Sequence, residues 1–357
     1  MQTIACLVEE VLLGVDTHLD THTAVVIDLL GRELDTRTFP TSRRGLNALI
    51  KWARLRGTVH RAGVEGTGSY GAGLAQRLVL EGIEVFEVTR PARRGNRHRG
   101  KTDDRDALAA ARVVLSGEAR AIPKTRDGIV ESIRVLRNTR ASAVKARTQT
   151  GQQLRSLVLT APSELRDSLR DLSTTKTVAH CARWHRVDPT NATRSTRLAM
   201  RVLARRHEAL DDEIAELDTH ITALTKTAAP RLLAQRGIGP ETAARLLIVA
   251  GDNPDRLRND SALAALCGAS PVEASSGKTI RHRLNRGGDR QGNNALWTIA
   301  NNRMIHDPET RAYTARRTKA GKSKKEIRRC LMRHIARGIY PLLIADLRDA
   351  ETHICLT

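Results

Sequence analysis

Aromatic residues are scarce in this 357-residue sequence, which has only three Trp, three Tyr and two Phe. Stacking of bases on aromatic side chains is therefore not expected as the main way of binding a nucleic acid. Apolar runs are also short, and none reaches the roughly 18 residues of a membrane span. Residues 1–13 lack the basic start and the cleavage site of a signal peptide. These absences argue against a membrane protein and against a secreted one.

Cysteine gives no sign of a zinc site or of a disulfide framework. The five cysteines are odd in number, scattered and without zinc-ligand spacing. We expect them to be reduced thiols, which predicts a cytoplasmic location. They are Cys6, Cys181, Cys267, Cys330 and Cys355.

Acidic residues are outnumbered, because 39 Asp and Glu stand against 60 Lys and Arg, and the formal net charge is +21. The excess is spread along the chain, which favours a polyanionic partner, nucleic acid first. Phosphate contacts should then dominate binding, and affinity should fall steeply with salt. A cationic protein on a membrane surface is a weaker alternative, because it would need aromatic anchors and an amphipathic basic helix.

The first third of the chain alternates between strand patterns and helix patterns. The order β-β-β-α-β-α-β, followed by an acidic helix, implies some parallel pairing. Three antiparallel strands with an acid on the first are one recognisable opening of a ribonuclease-H-like fold. The predicted elements are two strands in 11–30, a strand over 33–39, a helix over 42–55 with Ser42 as N-cap, a strand over 58–64, a helix over 70–80 and a strand over 83–88.

Four acidic residues stand where these elements begin or end. Asp16 follows the apolar start of the first strand, where a charge is rarely left unpaired. Glu65 lies between a strand and a glycine-rich turn, where small residues let a ligand come close. Asp103 and Asp106 are three residues apart at a helix start and so share one face, where Arg105 or a divalent cation would relieve their repulsion. Strand-end acids without a ligand, and a helix start that complements the macrodipole, are the alternatives.

The middle of the chain has a helical and heavily charged pattern. Apolar residues recur at helical spacing over 127–159 and again over 195–225, with a less regular stretch between Pro162 and Pro189. Two long amphipathic helices that return on each other predict an antiparallel coiled coil. A plain helical linker and a dimerising arm are both compatible with this pattern. The predicted domains are 1–125, 126–228 and 229–357.

The last part of the chain is predicted to be mainly helical, with helices over 262–268, 293–304 and 324–347. The turn Gly237-Ile238-Gly239-Pro240 is similar to a helix-hairpin-helix element, which holds a backbone phosphate without reading bases. A tight hairpin without a ligand is the alternative. Ser275-Ser276-Gly277 stands in a loop, and such a sequence on its own is most often a flexible turn.

Basic residues cluster in two glycine-containing segments, at 91–101 and 281–290. The first loop leads directly to Asp103 and Asp106, which favours a phosphate clamp, and a solvated surface loop is the alternative. The candidate nucleic-acid-binding residues are Arg93, Arg94, Arg97, Arg99, Lys101, Gly237, Gly239, Lys278, Arg281, Arg283 and Arg286.

Taken together, these motifs resemble the DEDD-type transposases of insertion sequences, the group that includes the Piv/MooV DNA invertases. The resemblance covers nearly the whole chain, and the combination of motifs is specific although each motif alone is not. Gly66 departs from the alanine that the family often has. The matching stretches are Gly14-Val15-Asp16-Thr17-His18, Glu65-Gly66-Thr67-Gly68-Ser69-Tyr70, Lys101-Thr102-Asp103 with Asp106-Ala107, Gly237-Ile238-Gly239-Pro240, residues 264–271 and Ser275-Ser276-Gly277.

The resemblance implies a RuvC-like α/β domain whose four acids, here Asp16, Glu65, Asp103 and Asp106, bind Mg²⁺ or Mn²⁺. A helical coiled-coil region and a mainly helical transposase domain follow. The nucleophile implied for this last domain is Ser276, with Ser275 one position away as the alternative.

The implied activity is cutting and rejoining of double-stranded DNA through a phosphoserine intermediate. Strand exchange needs more than one active site, so a homo-oligomer, a dimer or a tetramer, is expected. Some members of the family are guided by a structured RNA from their own element. A nucleoid-associated bacterial protein follows from this resemblance. A hydrolytic nuclease with the same acids and no serine role is the alternative, and a non-catalytic nucleic-acid-binding protein is a weaker one.

Overall fold

The computed structural model describes residues 10–88, 102–185, 188–273, 275–277, 282–283, 285 and 287–354. Contacts between residues divide the chain into two compact units, 1–125 and 126–357. The first unit is a mixed α/β domain and the second is mainly helical, as the sequence predicts.

The described part of the first unit has five strands and three helices, and each lies where the sequence pattern predicts it. Ser42 caps the first helix, because its side chain accepts a hydrogen bond from the Gly45 amide at 3.2 Å. The elements are β1 Glu10–Thr17, β2 Thr21–Asp28, β3 Glu33–Pro40, α1 Arg43–Arg54, β4 Thr58–Glu65, α2 Ala72–Leu80, β5 Glu84–Val88 and α3 Asp103–Leu115.

These strands form one sheet in the order β3-β2-β1-β4-β5. β1 pairs antiparallel with β2, and β2 with β3, whereas β1–β4 and β4–β5 are parallel pairs. The expected parallel pairing is confirmed. β1 and β4 are neighbours with the same direction, so their carboxyl ends meet at one edge of the sheet.

The two faces of the sheet have different cover. Successive side chains of a strand point to opposite faces. On β1, Leu13 and Val15 pack against α1 and α2, whereas Leu12 packs against α3. α3 presents only small side chains to the sheet at Ala107 and Ala110, both fully buried.

Two glycines let α3 come close to the sheet. Gly14 and Gly63 are paired across β1 and β4. A Cβ atom built on Gly14 would lie 2.1 Å from the Ala107 carbonyl oxygen, and one on Gly63 would lie 2.5 Å from that of Ala110. No side chain fits there, so the helix backbone rests directly on these two glycines.

In its described part, the second unit has ten α-helices, a short 3₁₀ helix at Pro254–Arg256 and a two-stranded sheet. A common hydrophobic core contains buried residues of seven of its helices, the fourth, the seventh to the eleventh and the thirteenth of the chain. The elements are α4 Ile129–Thr160, α5 Ser163–Leu169, α6 Thr174–Ala182, α7 Ala192–Ala228, α8 Pro230–Leu233, α9 Pro240–Ala250, α10 Asp260–Leu266, β6 Val272–Glu273, β7 His282–Arg283, α11 Arg290–His306, α12 Pro308–Lys319 and α13 Lys324–Ile354.

Sequence patterns predicted the long helices of this unit and missed three shorter ones. The stretch between Pro162 and Pro189 contains α5 and α6. Pro162 lies between α4, which ends at Thr160, and α5, for which it is the N-cap residue. α12 begins at Pro308 and buries none of its residues, so it has no apolar stripe that a periodicity search can detect.

The helices α4 and α7 pack against each other in opposite directions. Arg140 pairs with Asp218, and Arg147 pairs with Asp211 at 2.5 Å. The two pairs are seven residues apart on both helices, with the numbers rising on α4 and falling on α7. This arrangement is the return of two long helices that the sequence predicts; the coiled coil and the dimerising arm remain predictions.

Two further expectations concern single residue types. Among the described residues, Cys181, Cys267 and Cys330 are all free thiols. Burial raises the pKa of the Cys267 thiol to about 12. In the part of the chain that the structure describes, no helix has the length and apolarity to cross a bilayer.

Candidate active site

Three potential ligand side chains converge at the carboxyl end of β1. Asp16 is fully buried, and its Oδ2 lies 3.2 Å from Nε2 of His18. The same nitrogen lies 3.3 Å from Oδ1 of Asp103, the first residue of α3. One ligand atom from each residue lies within 4.8 Å of the other two. The structure therefore brings together Asp16 and Asp103, which are far apart in sequence, and adds a histidine between them.

The glycine contacts of the sheet explain this convergence. Asp16 is two residues beyond Gly14, so its side chain points to the same face, toward α3. Asp103 is one turn before Ala107, whose carbonyl oxygen lies over Gly14. Close packing of α3 on β1 thus sets the Asp103 carboxylate beside that of Asp16.

The same construction repeats on the neighbouring strand. Glu65 is two residues beyond Gly63 and 5% exposed, and Asp106 is one turn before Ala110, which lies over Gly63. Glu65 and Asp106 are thereby directed to the same edge of the sheet. They are not part of the three-residue group above, which was found among the described residues. The assignment of all four acids to one ion remains a prediction.

A hydrogen bond joins the ends of β1 and β4 just below these acids. The Thr17 hydroxyl donates to the Glu65 carbonyl oxygen at 2.9 Å. The next residue, Gly66, has φ +62°, and a Cβ atom there would lie 3.0 Å from the Thr17 hydroxyl oxygen. The turn after Glu65 therefore needs glycine for its backbone conformation and for this contact, which gives a reason against alanine at this position.

The three-residue group fits a divalent cation in number and type of donors. It offers two carboxylate oxygens and one imidazole nitrogen, and its atoms are close enough for small shifts to bring them round one ion. Mg²⁺ prefers oxygen ligands, whereas imidazole suits transition metals better. If His18 is a ligand, the donor set therefore favours Mn²⁺ or a similar ion over Mg²⁺.

Two histidines of this region have no role in the sequence analysis. His18 is quoted there only as part of a motif, yet it stands two residues after Asp16, and this spacing along a strand places two side chains on one face. His22, on β2 opposite Thr17, is 1% exposed. Burial lowers the pKa of His22, and the nearby charge of Asp16 opposes this shift. A lone histidine in a buried strand gives no signal that would reveal its neighbourhood.

The serine motif lies in the segment between α10 and α11 of the second unit. β6 and β7 pair at Val272 with Arg283, and Ser275 and Ser276 are exposed beyond them. The two ends of this segment are joined by a hydrogen bond, which the Asp289 amide donates to the Leu266 carbonyl oxygen at 2.7 Å. We call residues 267–288 the serine hairpin. Both serine side chains are accessible, so exposure does not separate the two candidates.

Most candidate nucleic-acid-binding residues lie outside the described residues. Among the described ones, Arg283 is exposed on β7, and the predicted glycine turn is present. Gly237 has φ +82°, and Gly239 is the N-cap of α9, which begins at Pro240. The candidates outside the described residues are Arg93, Arg94, Arg97, Arg99, Lys101, Lys278, Arg281 and Arg286.

The first turn of α9 carries an acid, which bears on phosphate binding. Glu241 accepts hydrogen bonds from Arg137 of α4 and from Arg245. The two guanidinium groups hold the pKa of Glu241 below its usual value although burial opposes this. A phosphate at this helix start would meet a carboxylate that the two arginines already neutralise.

Comparisons with known proteins find matches in two parts of the chain. Residues 13–161 match a family model described as "Transposase", DEDD_Tnp_IS110, and residues 229–315 match the "Transposase IS116/IS110/IS902 family". The chain is also 33% identical over 144 residues to the "Insertion element IS110 uncharacterized 43.6 kDa protein" of Streptomyces coelicolor. That match covers 40% of this chain and 34% of the relative, so the chain covers about a third of its relative's length.

Both matches are to models of the transposase class, and they follow each other along the chain in the expected order. The chain belongs to the IS110 family of DEDD transposases.

Proposed function

We propose that this chain cuts and rejoins double-stranded DNA through a phosphoserine intermediate, assisted by a divalent cation. The observation that carries the proposal is the convergence of Asp16, His18 and Asp103 at the carboxyl end of β1. Glu65 and Asp106 complete the metal site in this proposal. Family membership in both halves of the chain supports the DNA substrate, and the net charge of +21 suits a polyanion.

The sheet order supports a RuvC-like fold for the first unit. The strands run β3-β2-β1-β4-β5, with three antiparallel strands followed by two that are parallel to the first. Acids at the carboxyl ends of the central strands β1 and β4 are placed as ligand sites are placed in open sheets.

In the proposed reaction, Oγ of Ser276 attacks phosphorus, and the bond from phosphorus to the 3′-oxygen breaks. The serine is then esterified to one DNA end, and the 3′-oxygen leaves as a hydroxyl after it takes up a proton. A 3′-hydroxyl of the exchanged strand attacks the phosphoserine and releases the serine, so the bond energy is kept and ATP is not needed. A divalent cation at the acids would neutralise the charge of the phosphate.

Each side chain of the site has a separate task in this proposal. Asp16 and Glu65 come from rigid strand ends and fix the position of the ion. Asp103 and Asp106 come from α3, and the contacts of this helix with two glycines of the sheet fix the distance of both carboxylates from the sheet. His18 holds Asp16 and Asp103 together by its contacts of 3.2 and 3.3 Å and becomes a further ligand when it is neutral.

The same proposal includes three further features. They are a homo-oligomer, a guide RNA and a helix-hairpin-helix role for the Gly237–Pro240 turn. Strand exchange needs at least two nucleophiles, which supports a dimer or tetramer. The antiparallel pair α4 and α7 offers a long arm on which copies could associate. Gly239 supports a phosphate contact at α9, because a Cβ atom there would meet open space.

Denaturing electrophoresis with labelled DNA that carries the ends of the element tests the proposal. We expect a covalent protein–DNA adduct that requires Mg²⁺ or Mn²⁺, is lost in Ser276→Ala and persists in Ser275→Ala. The reverse result for the two serines would move the nucleophile by one position. Cleavage without an adduct, unchanged in both variants, would favour the second candidate, a hydrolytic nuclease that uses the same acids and water.

A further inference from the structure

A cleft of about 540 Å³ lies at the base of the serine hairpin. This volume is within the range of about 300–1,000 Å³ that is common for small-ligand sites. Gly268 and Gly288 line the cleft with backbone atoms in direct contact. A Cβ atom on Gly288 would lie 2.2 Å from the Gly268 amide nitrogen, so no side chain fits there. The cleft is lined by Gly268, Asn285, Gly288, Arg290, Asn293, Asn294 and Trp297.

The wall of the cleft contains an exposed tryptophan in a chain that has only three. Trp297 is 44% exposed on α11. The guanidinium carbon of Arg328, on α13, lies 5.3 Å from the centroid of its ring. An arginine on an indole ring holds it in place through a cation–π contact. The indole is thus held in place, and part of its surface stays exposed beside polar groups instead of being buried in the core.

Two asparagines beside the indole present complementary hydrogen-bonding atoms. Asn293 donates through Nδ2 to the Cys267 carbonyl oxygen at 2.9 Å, so its Oδ1 is left as an acceptor. Asn294 accepts through Oδ1 from Arg245, so its Nδ2 is left as a donor. These bonds also fix which way each amide is turned. Within the described residues, neither Asn293 Oδ1 nor Asn294 Nδ2 has a further hydrogen-bond partner.

The ligand that matches this lining is flat, aromatic and edged with both a donor and an acceptor, and it carries negative charge nearby. A nucleobase has a π-face that stacks on an indole, and its edge pairs with amide groups. Arg290, exposed at the start of α11, is placed to meet a phosphate of the same strand.

We propose that this cleft receives one unstacked nucleobase of the nucleic acid that the serine hairpin acts on. The proposal rests on the function proposed above and adds a site for a base to a protein that is otherwise expected to hold phosphates. DNA and RNA share the chemistry, so the source of the base is a question for the experiment.

Binding of single-stranded oligonucleotides to the full chain, measured in EDTA, tests the site without any cleavage. The probes are a DNA and an RNA of the same sequence and of about 16 nucleotides, the upper end of common single-strand site sizes. An abasic DNA of the same length keeps the phosphates and lacks the bases. The ratio of the affinities for the base-containing and the abasic DNA isolates the contribution of the bases from that of the backbone charge.

We expect Trp297→Leu to lower this ratio by about 5- to 100-fold, as loss of one base–aromatic stack does. Trp297→Phe should keep most of it, because a phenyl ring still stacks. The matched control is Trp184→Leu, which removes another tryptophan that carries an arginine on its ring, at 4.9 Å, and that does not line the cleft. Thermal unfolding of all three variants checks that each is folded.

An unchanged ratio in folded Trp297→Leu, with unchanged affinity for the RNA, would overturn the proposal. An equal loss in Trp297→Phe would also overturn it, because that result indicates packing instead of stacking. A loss of affinity in Trp297→Leu for the base-containing DNA, for the RNA or for both, larger than the loss for the abasic DNA, supports the proposal and identifies the source of the base. A base effect that does not depend on Trp297, together with an intact Ser276 adduct, would remove only the cleft. An absent adduct with an intact base effect would remove only the proposed reaction.

Discussion

The two units hold their candidate reactive groups by different means. In the first unit, Asp16 and Asp103 are placed by a helix backbone that rests on Gly14 and by the paired strands below it. In the second unit, Ser276 is exposed beyond two strands of two residues each. The acids are thus positioned by elements that pack on the sheet, whereas the serine lies on a hairpin that is held to its unit by contacts at the base of the hairpin.

This difference suits two different tasks. Ligands of a metal ion must keep their mutual distances to a fraction of an ångström, which elements packed on a core provide. A nucleophile that attacks a phosphate and later releases it gains from an accessible position. The comparison predicts that changes in the packing of the first unit alter its site through geometry, and that changes at the serine act through chemistry alone.

The largest expected effect is the loss of a metal ligand. Asp103→Asn keeps the size of the side chain and removes its charge, and we expect DNA cleavage to fall about 1,000-fold, since a metal supplies several kcal/mol of charge stabilisation. Asp104→Asn is the matched control, because it removes the same charge one residue further along α3, outside the three-residue group. Equal losses in both variants, measured as adduct formed per minute, would contradict the assignment of Asp103.

The second prediction concerns the glycine contacts of α3. Gly14→Ala and Gly63→Ala force the helix away from the sheet, and we expect each to cost about 1–3 kcal/mol of unfolding free energy and to weaken Mn²⁺ binding measured by calorimetry. Gly73→Ala is the control, because Gly73 lies in α2 with nothing within 4 Å of the added Cβ. It should stabilise the chain by up to about 1 kcal/mol. Unchanged Mn²⁺ affinity in both Gly14→Ala and Gly63→Ala would show that the metal site does not depend on the position of α3.

The sequence allowed much of this first unit to be predicted, since the strands and helices follow apolar periodicity and the acids stand at their ends. It did not reveal why the acids meet. The roles of Gly14 and Gly63 appear only when the register of β1 against β4 is known, because each glycine alone is compatible with any turn or bend. His18 could have been found from its two-residue spacing to Asp16.

The helical unit was less predictable, because its junctions depend on single charged residues. Asp346 is fully buried, and its carboxylate accepts from the backbone amides of Arg231 and Leu232 at 3.2 and 3.0 Å. Asp252 does the same for Val130 and Glu131 at the start of α4, at 2.8 and 3.2 Å. In the sequence these are isolated aspartates, and nothing in their neighbours indicates which distant helix start they cap.

The third prediction tests one of these buried carboxylates. Asp346→Ala leaves two backbone amides at the start of α8 without a partner, and we expect a loss of about 1–3 kcal/mol in unfolding free energy. Asp349→Ala is the control, because Asp349 is exposed and, among the described residues, pairs with the side chain of Arg231 at 2.7 Å. It should cost less than about 1 kcal/mol. Chemical denaturation followed by circular dichroism measures both, and equal losses would show that the surface ion pair carries the stability of this junction.

The smallest expected effect is a pH dependence confined to the first unit. Burial lowers the pKa of His22 below its ordinary value of 6.5, so the unfolded chain binds a proton more readily than the folded one. Stability should therefore fall as the pH drops below 6.5 toward the pKa of the folded state, by at most about 1.4 kcal/mol per pH unit for one proton. Hydrogen exchange of β2 amides between pH 7 and pH 5, compared at equal intrinsic rates, should show this loss in the wild type and a smaller one in His22→Gln. His60→Gln, on an exposed position of β4, should keep the wild-type slope; if it flattens the slope as much as His22→Gln does, the buried histidine is not its source.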